Sequence, residues 1–297
     1  MATPRLPALA LGGSVSLGPV SLTVRSLERS LGFYCDILGC RIRRRDATMV
    51  EVGTEQTTLL ELWERPQAKP RPPRTTGLYH VAFLLPTQAD LARALQRLVA
   101  LRYPIEGASD HLVSEAVYLA DPDGHGMEIY ADRPRDAWPY RNGLLEMATV
   151  ALDVDDLMSA LKADPRPWTG LPEGTRIGHV HLRVADLDAA EAFYRDVLGF
   201  DLMARYGEGA CFLSAGGYHH HIGLNTWAGV GAPPPPRGAI GLRHFSVVLP
   251  GEAQFGAVAD RVRAAGITVL EHPSGLLARD PSHNGVLLTT PTRASPA

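Results

Sequence analysis

Cysteine is scarce: Cys35, Cys40 and Cys211 are the 3 in 297 residues, an odd set whose spacing fits no zinc motif. That excludes a disulfide framework of the secreted kind and predicts reduced thiols in a cytoplasmic protein. Charge of one sign is not in excess either. The chain carries 29 Lys and Arg against 32 Asp and Glu, a net charge of −3, which offers no basic face to nucleic acid and no polybasic membrane anchor. No apolar run reaches the roughly 20 residues of a membrane span. Residues 1–18 lack a basic region followed by an apolar run and a cleavage site. Neither nucleic acid nor membrane is therefore an expected partner. What remains, 45% hydrophobic and 21% charged residues, describes a globular chain long enough for two domains with their own cores.

The chain repeats itself at an offset of 160 residues. Val20-Ser21-Leu22-Thr23-Val24 followed by Phe33-Tyr34 and Leu38-Gly39 returns as Val180-His181-Leu182-Arg183-Val184 followed by Phe193-Tyr194 and Leu198-Gly199. Each copy reads as an alternating strand, then a helix capped by Ser26 or Asp186 and ended by Gly39 or Gly199. A second unit repeats inside each half: Gly77 to Pro86 matches Gly241 to Pro250, each runs into an amphipathic helix, and equivalent turns open at Asp121-Pro122 and Asp280-Pro281. Four strand-helix-strands modules result. They fall into a first domain over 16–133 and a second over 176–291. Residues 134–175, dense in proline around one short helix near Asp153 to Lys162, form the linker. Pro233 to Pro236 predict an extended spacer between modules three and four.

One stretch carries chemistry. From Asp110 to Glu128, two strands joined by Asp121-Pro122-Asp123-Gly124 set His111, Tyr118 and Glu128 at intervals that let three polar side chains converge on one pocket. Taken alone, the same pattern also fits an ordinary hairpin with Glu128 solvated.

With these residues in view, the chain resembles the vicinal oxygen chelate superfamily of glyoxalases, bleomycin-resistance proteins and extradiol dioxygenases, from about Leu17 to Thr290. The Phe-Tyr…Leu-Gly helices and the Asp-Pro-Asp-Gly-His-Gly-Met-Glu-Ile-Tyr segment carry the likeness, which is strongest to four-module catechol 2,3-dioxygenases. Ser109 departs from the pattern. The resemblance implies an α+β fold of four βαβββ modules in two half-open barrels. It also implies two histidines and one carboxylate on Fe(II), with Mn(II) as the alternative, and open positions for a small aromatic diol and O2. A homo-oligomer is expected.

Ligand assignment turns on how the modules pair. His179 and His181 are equal candidates by strand spacing, and the family pattern favours His179; module one has Pro19 at that place. His80 and His244 are equivalent, but Glu128 and Tyr118 correspond to Leu287 and Leu277 in module four. Pairing in sequence leaves each barrel incomplete. Pairing module two with three, and one with four, assembles one full set: His80, Glu128 and His179. In Tyr218-His219-His220-His221-Ile222 the resemblance points to His221 as the acid-base group beside dioxygen. Strand alternation would put His219, His221 and Asn225 on one face and His220 on the other, although a histidine run also suits a solvated strand end. His111 and Tyr118 are expected to hold the substrate oxygens.

The remaining histidines, His125, His272 and His283, read as exposed, and Glu61 as structural. Trp227, Tyr218 and Phe245 are candidates to line the pocket. Two other functions fit the fold: a glyoxalase-like isomerase or lyase, and a metal-free protein that sequesters a ligand. The first needs a second carboxylate, at whose place Asn225 is expected to stand. The second has no use for His80, Glu128 and His179.

Overall fold

A computed structural model describes residues 10–141 and 144–294. Module one contains strands β1 (Ser16–Val24), β2 (Arg41–Arg45), β3 (Met49–Gly53) and β4 (Thr58–Glu64), with helix α1 (Leu27–Leu31) after β1. Module two has β5 (Gly77–Leu85), helix α2 (Gln88–Ala100), β6 (Gly107–Asp110), β7 (Ser114–Ala120) and β8 (Gly126–Asp132). The connecting segment holds β9 (Tyr140–Arg141), β10 (Leu144–Leu145), β11 (Val150–Ala151) and α3 (Val154–Ala163). Module three follows as β12 (Arg176–Arg183), α4 (Leu187–Ala192), β13 (Asp201–Tyr206), β14 (Ala210–Ser214) and β15 (Ile222–Asn225). Module four is β16 (Gly241–Val248), α5 (Glu252–Ala264), β17 (Leu270–His272), β18 (Gly275–Arg279) and β19 (Gly285–Thr289).

The caps predicted at Ser26 and Asp186 form, and Thr87 caps α2 in the same way. Ser26, Thr87 and Asp186 each accept a hydrogen bond from a backbone N–H three residues on, satisfying donors that a helix start leaves free. Beyond α1 and α4 the chain widens into π-helical turns, Gly32–Ile37 and Phe193–Leu198. Gly39 and Gly199 then reverse the chain at φ +76° and +99°, where a side chain would be strained. The buried tyrosine of each turn ties the first module of its half to the second: Tyr34 donates to Asp121 Oδ2 at 3.0 Å, and Tyr194 to Asp280 Oδ2 at 3.1 Å.

Pairing crosses the halves. Strands β17-β18-β19-β16-β1-β4-β3-β2 form one sheet, so module four joins module one. The other, β11-β6-β7-β8-β5-β12-β15-β14-β13, joins two to three and gains β11 from the connecting segment. The out-of-sequence pairing deduced from the ligand set is the observed one. Each seam is antiparallel, β1 with β16 and β5 with β12. Inside a module the first strand runs parallel to the last, as β5 does to β8.

Strand alternation sorts the core. Val81, Phe83 and Leu85 of β5 join Leu91, Leu95 and Leu98 of α2 in the main apolar cluster. Each such side chain contributes about 1.5–3 kcal/mol by leaving water. The opposite face of β5 turns into the second barrel's interior, where Ala82 and Leu84 pack with Ala116, Tyr130, Trp138 and Tyr218. That inner face also carries His80.

Candidate metal centre

Three strands place the centre. His179 on β12 lies level with Ala82 on β5, and Ala82 is level with Glu128 on β8. Level residues point to one face. Because Ala82 has only a methyl group, His179 and Glu128 reach over it, Nε2 to Oε2 at 3.1 Å. His80, two residues before Ala82, shares the face, and its Nε2 stands 3.1 Å from the same carboxylate oxygen and 3.2 Å from His179 Nε2. All three residues are buried.

This donor set fits a metal ion. Two imidazole nitrogens and a carboxylate oxygen form a triangle with edges of 3.1, 3.1 and 3.2 Å. Ligands at right angles around an ion are separated by √2 times the bond length, and these edges correspond to bonds of about 2.2 Å, in the usual range for divalent metals. Burial alone would push the Glu128 carboxyl up, but His179 and His80 together outweigh it and hold the group well below the usual range. His179 is lowered to about 4, chiefly by burial and against the pull of Glu128. An ionised carboxylate beside a neutral imidazole is the protonation a metal requires.

Beside the triangle opens a cavity of about 420 Å³, bounded by residues that include Tyr79, Met147, Phe212 and Trp227. His111 and Tyr118 line it as expected. His111 Nδ1 donates to the Ala148 carbonyl at 2.8 Å, which leaves its Nε2 to accept from the Tyr118 hydroxyl at 2.6 Å. Burial first, and then the nearby Glu128 charge, push the Tyr118 phenol far above its ordinary value. It therefore remains a protonated donor. Ser109 also lines the cavity, as does His181. His181 stacks edge-on against His80 with 5.0 Å between ring centres, and burial lowers it well below its ordinary value. It buttresses His80 from outside the triangle.

The histidine run requires a correction. Strand β15 begins only at Ile222; His221 already bonds to Leu213 and Val180 through its backbone, but residues 219 and 220 lie in a bend that strand alternation does not govern. His220, expected to face away, lines the cavity, and its ring centre lies 4.1 Å from that of His179. His221, the expected acid-base group, points elsewhere. It lines a separate cavity of about 220 Å³ with Arg135 and Arg176, and its Nδ1 is engaged by Ser214 Oγ at 2.9 Å and the Ala215 N–H at 3.2 Å. A signal was available in the motif itself: taking His219-His220 as the pair, with Ile222 as the hydrophobe, puts the second histidine at 220.

Other expectations shift too. The module-three counterpart of Glu61 is Gly223, since Ser21 is level with Glu61 and His181 with Gly223; Asn225 corresponds to Trp63. His125 is buried, with Nδ1 2.8 Å from Asp121 Oδ2. His272 is half-buried, and His283 is exposed as expected. Phe245 packs near Tyr194 in the main core, and Tyr218 borders the smaller cavity; Trp227 alone of those three lines the larger one. His244 is buried in the other barrel, 3.9 Å from Glu61, with Leu287 level with Ser246 where the metal barrel has Glu128 level with Ala82.

Four modules paired across two barrels, with one barrel holding a two-histidine, one-carboxylate cluster, define the vicinal oxygen chelate class. The chain belongs to the glyoxalase/bleomycin resistance protein/dioxygenase superfamily, whose family model matches residues 16–129 and 176–286. It is 48% identical over 269 residues to a protein named catechol-2,3-dioxygenase from Bacillus subtilis (strain 168), covering 89% of this chain and 93% of that one. A shorter match, 29% over 132 residues, is to biphenyl-2,3-diol 1,2-dioxygenase 3 of Rhodococcus globerulus, covering 41% of this chain and 67% of the relative. Glyoxalase I from Zea mays shares the fold at a TM-score of 0.58 and 17% identity, over 94% of each chain. Among the described residues no helix is long and apolar enough to cross a membrane.

Proposed function

We propose that this protein is an extradiol dioxygenase that opens a catechol ring with O2 at a mononuclear Fe(II) held by His80, His179 and Glu128. The observation that carries the reading is the buried triangle of those three side chains with a cavity of about 420 Å³ beside it. Extensive likeness to a relative named as a catechol dioxygenase supports it. When bound, the metal would supply Lewis acidity to the diol and open positions at which diol and dioxygen meet.

The chain's own groups do the rest. Tyr118, protonated and already a donor to His111, is placed to hold a substrate oxygen. His220 also lines the cavity, and with Nδ1 bonded to His219 its Nε2 is the nitrogen left to exchange a proton with the substrate. Met127, Met147 and Phe212 give the ring an apolar surface and exclude water. A glyoxalase-like isomerase needs a fourth protein ligand from β15, where Gly223 stands. That observation counts against it.

Anaerobic reconstitution with Fe(II), addition of catechol and admission of air should give a yellow ring-cleavage product. Parallel loading with Mn(II) decides between the two metals. Tight metal binding without ring cleavage of any diol would overturn the dioxygenase, and failure to bind metal would favour a sequestering protein.

A further inference from the structure

His220, which lines the cavity, begins a chain of hydrogen bonds whose other members belong neither to the metal triangle nor to the cavity lining. His220 Nδ1 lies 2.8 Å from His219 Nδ1, and His219 Nε2 lies 2.9 Å from Asp132 Oδ1. Asp132 Oδ1 also accepts from the Tyr218 hydroxyl at 3.1 Å, and the Tyr130 and Tyr218 hydroxyls are 2.7 Å apart. His219 is fully enclosed, stacked on Tyr218 with 4.0 Å between ring centres. Its ring cannot turn over without breaking both bonds.

Proton positions follow from donor and acceptor arithmetic. A carboxylate can only accept, so His219 must present N–H at Nε2. A neutral His219 then has a lone pair at Nδ1. The 2.8 Å bond to His220 is made only if His220 carries its own proton on Nδ1. That leaves Nε2 as the bare acceptor on a ring that lines the cavity.

We propose that Asp132 and His219 are positioning residues which fix His220 in the Nδ1–H tautomer, so that it meets the substrate as a proton acceptor. The logic is that of a carboxylate orienting a catalytic imidazole, here a half-buried one acting through a second ring. What His220 does with the proton rests on the ring-cleaving reading above; its tautomer does not.

Long-range 1H–15N spectra of the full-length protein, loaded with diamagnetic Zn(II) and labelled with 15N-histidine, read the tautomer directly. His220 should show N–H at Nδ1 and a bare Nε2. Asp132→Ala, which removes the acceptor that holds the N–H of His219 at Nε2, should let the His220 proton redistribute to Nε2. In the Fe(II) enzyme it should lower kcat about 100-fold or more, with KM changed less than about threefold and metal content unchanged. Tyr218→Phe removes a neighbouring bond to Asp132 but not the one to His219, and should keep the tautomer. An Nε2–H tautomer in the wild type, an unmoved proton in Asp132→Ala, or the same displacement in Tyr218→Phe would overturn the proposal. If the tautomer behaves as stated but no diol is cleaved, the positioning stands and the dioxygenase reading fails.

Discussion

His80 Nε2 and His179 Nε2 lie 3.2 Å apart although 99 residues separate them in the chain. Strands β5 and β12 meet at the antiparallel seam of one sheet, so a residue from each half of the chain is required to complete the site. The equivalent seam between β1 and β16 brings Ser21 level with His244 and, among the described residues, assembles no such set.

Substituting within the triangle should separate the two barrels. His80→Ala and Glu128→Ala are expected to lower metal affinity at least about 100-fold, more than loss of an outer hydrogen-bond partner does. His244→Ala should leave metal content unchanged. Elemental analysis after dialysis against a weak chelator measures this, and equal loss in all three variants would contradict it.

Gly223 is set by the ring beside it. A Cβ there would meet the His181 ring at 2.9 to 3.1 Å, inside ordinary contact. Gly223→Ala should therefore push His181 against His80, costing about 1–3 kcal/mol of stability and weakening metal binding. Gly207→Ala, where a Cβ meets nothing within 4 Å but φ is +59°, should cost stability without touching the metal. Denaturant titration and metal content, measured on both variants, distinguish packing from backbone strain.

The turn aspartates differ by one neighbour. Burial pushes both carboxyls up, but Asp121 ends below its ordinary value because His125 outweighs burial, whereas Asp280, bonded to Asn284 instead, remains raised. His125→Ala should destabilise the protein by about 1–3 kcal/mol by removing a buried bond to a charged group. His125→Asn, which copies the other half, should recover most of it. With Asp121 no longer depressed, His125→Asn should also lose less stability on acidification below about pH 4 than the wild type does. Urea unfolding at pH 7, pH 4 and about pH 2.5 tests both.

Acid should weaken the metal-free protein through histidines outside the centre as well. Burial first, and then neighbouring positive charge, lower His221 and His244 each to about 3. An unfolded histidine titrates near about 6.5. Between those values the unfolded chain binds more protons, so stability is full above about pH 6.5 and falls as pH drops toward 3. Replacing both with Gln should flatten the melting temperature between pH 7 and pH 5, followed by calorimetry.

The sequence by itself determined the modules and most of the site. Helix caps, glycine reversals and the Asp-Pro-Asp-Gly turn act within a few residues, and strand alternation fixes which side chains share a face. Module pairing could also be deduced, because one arrangement alone gave a complete ligand set. Only the tertiary structure decided between neighbouring histidines. His179 outranks His181 because it is level with Ala82, whose small side chain opens the way to Glu128. His220 displaces His221 because residues 219 and 220 bend before the chain joins the ladder at His221, and the rings there turn as Asp132 holds His219 and Ser214 holds His221. Local rules place a residue on a strand. Which neighbour it meets depends on strands brought in from the other half of the chain.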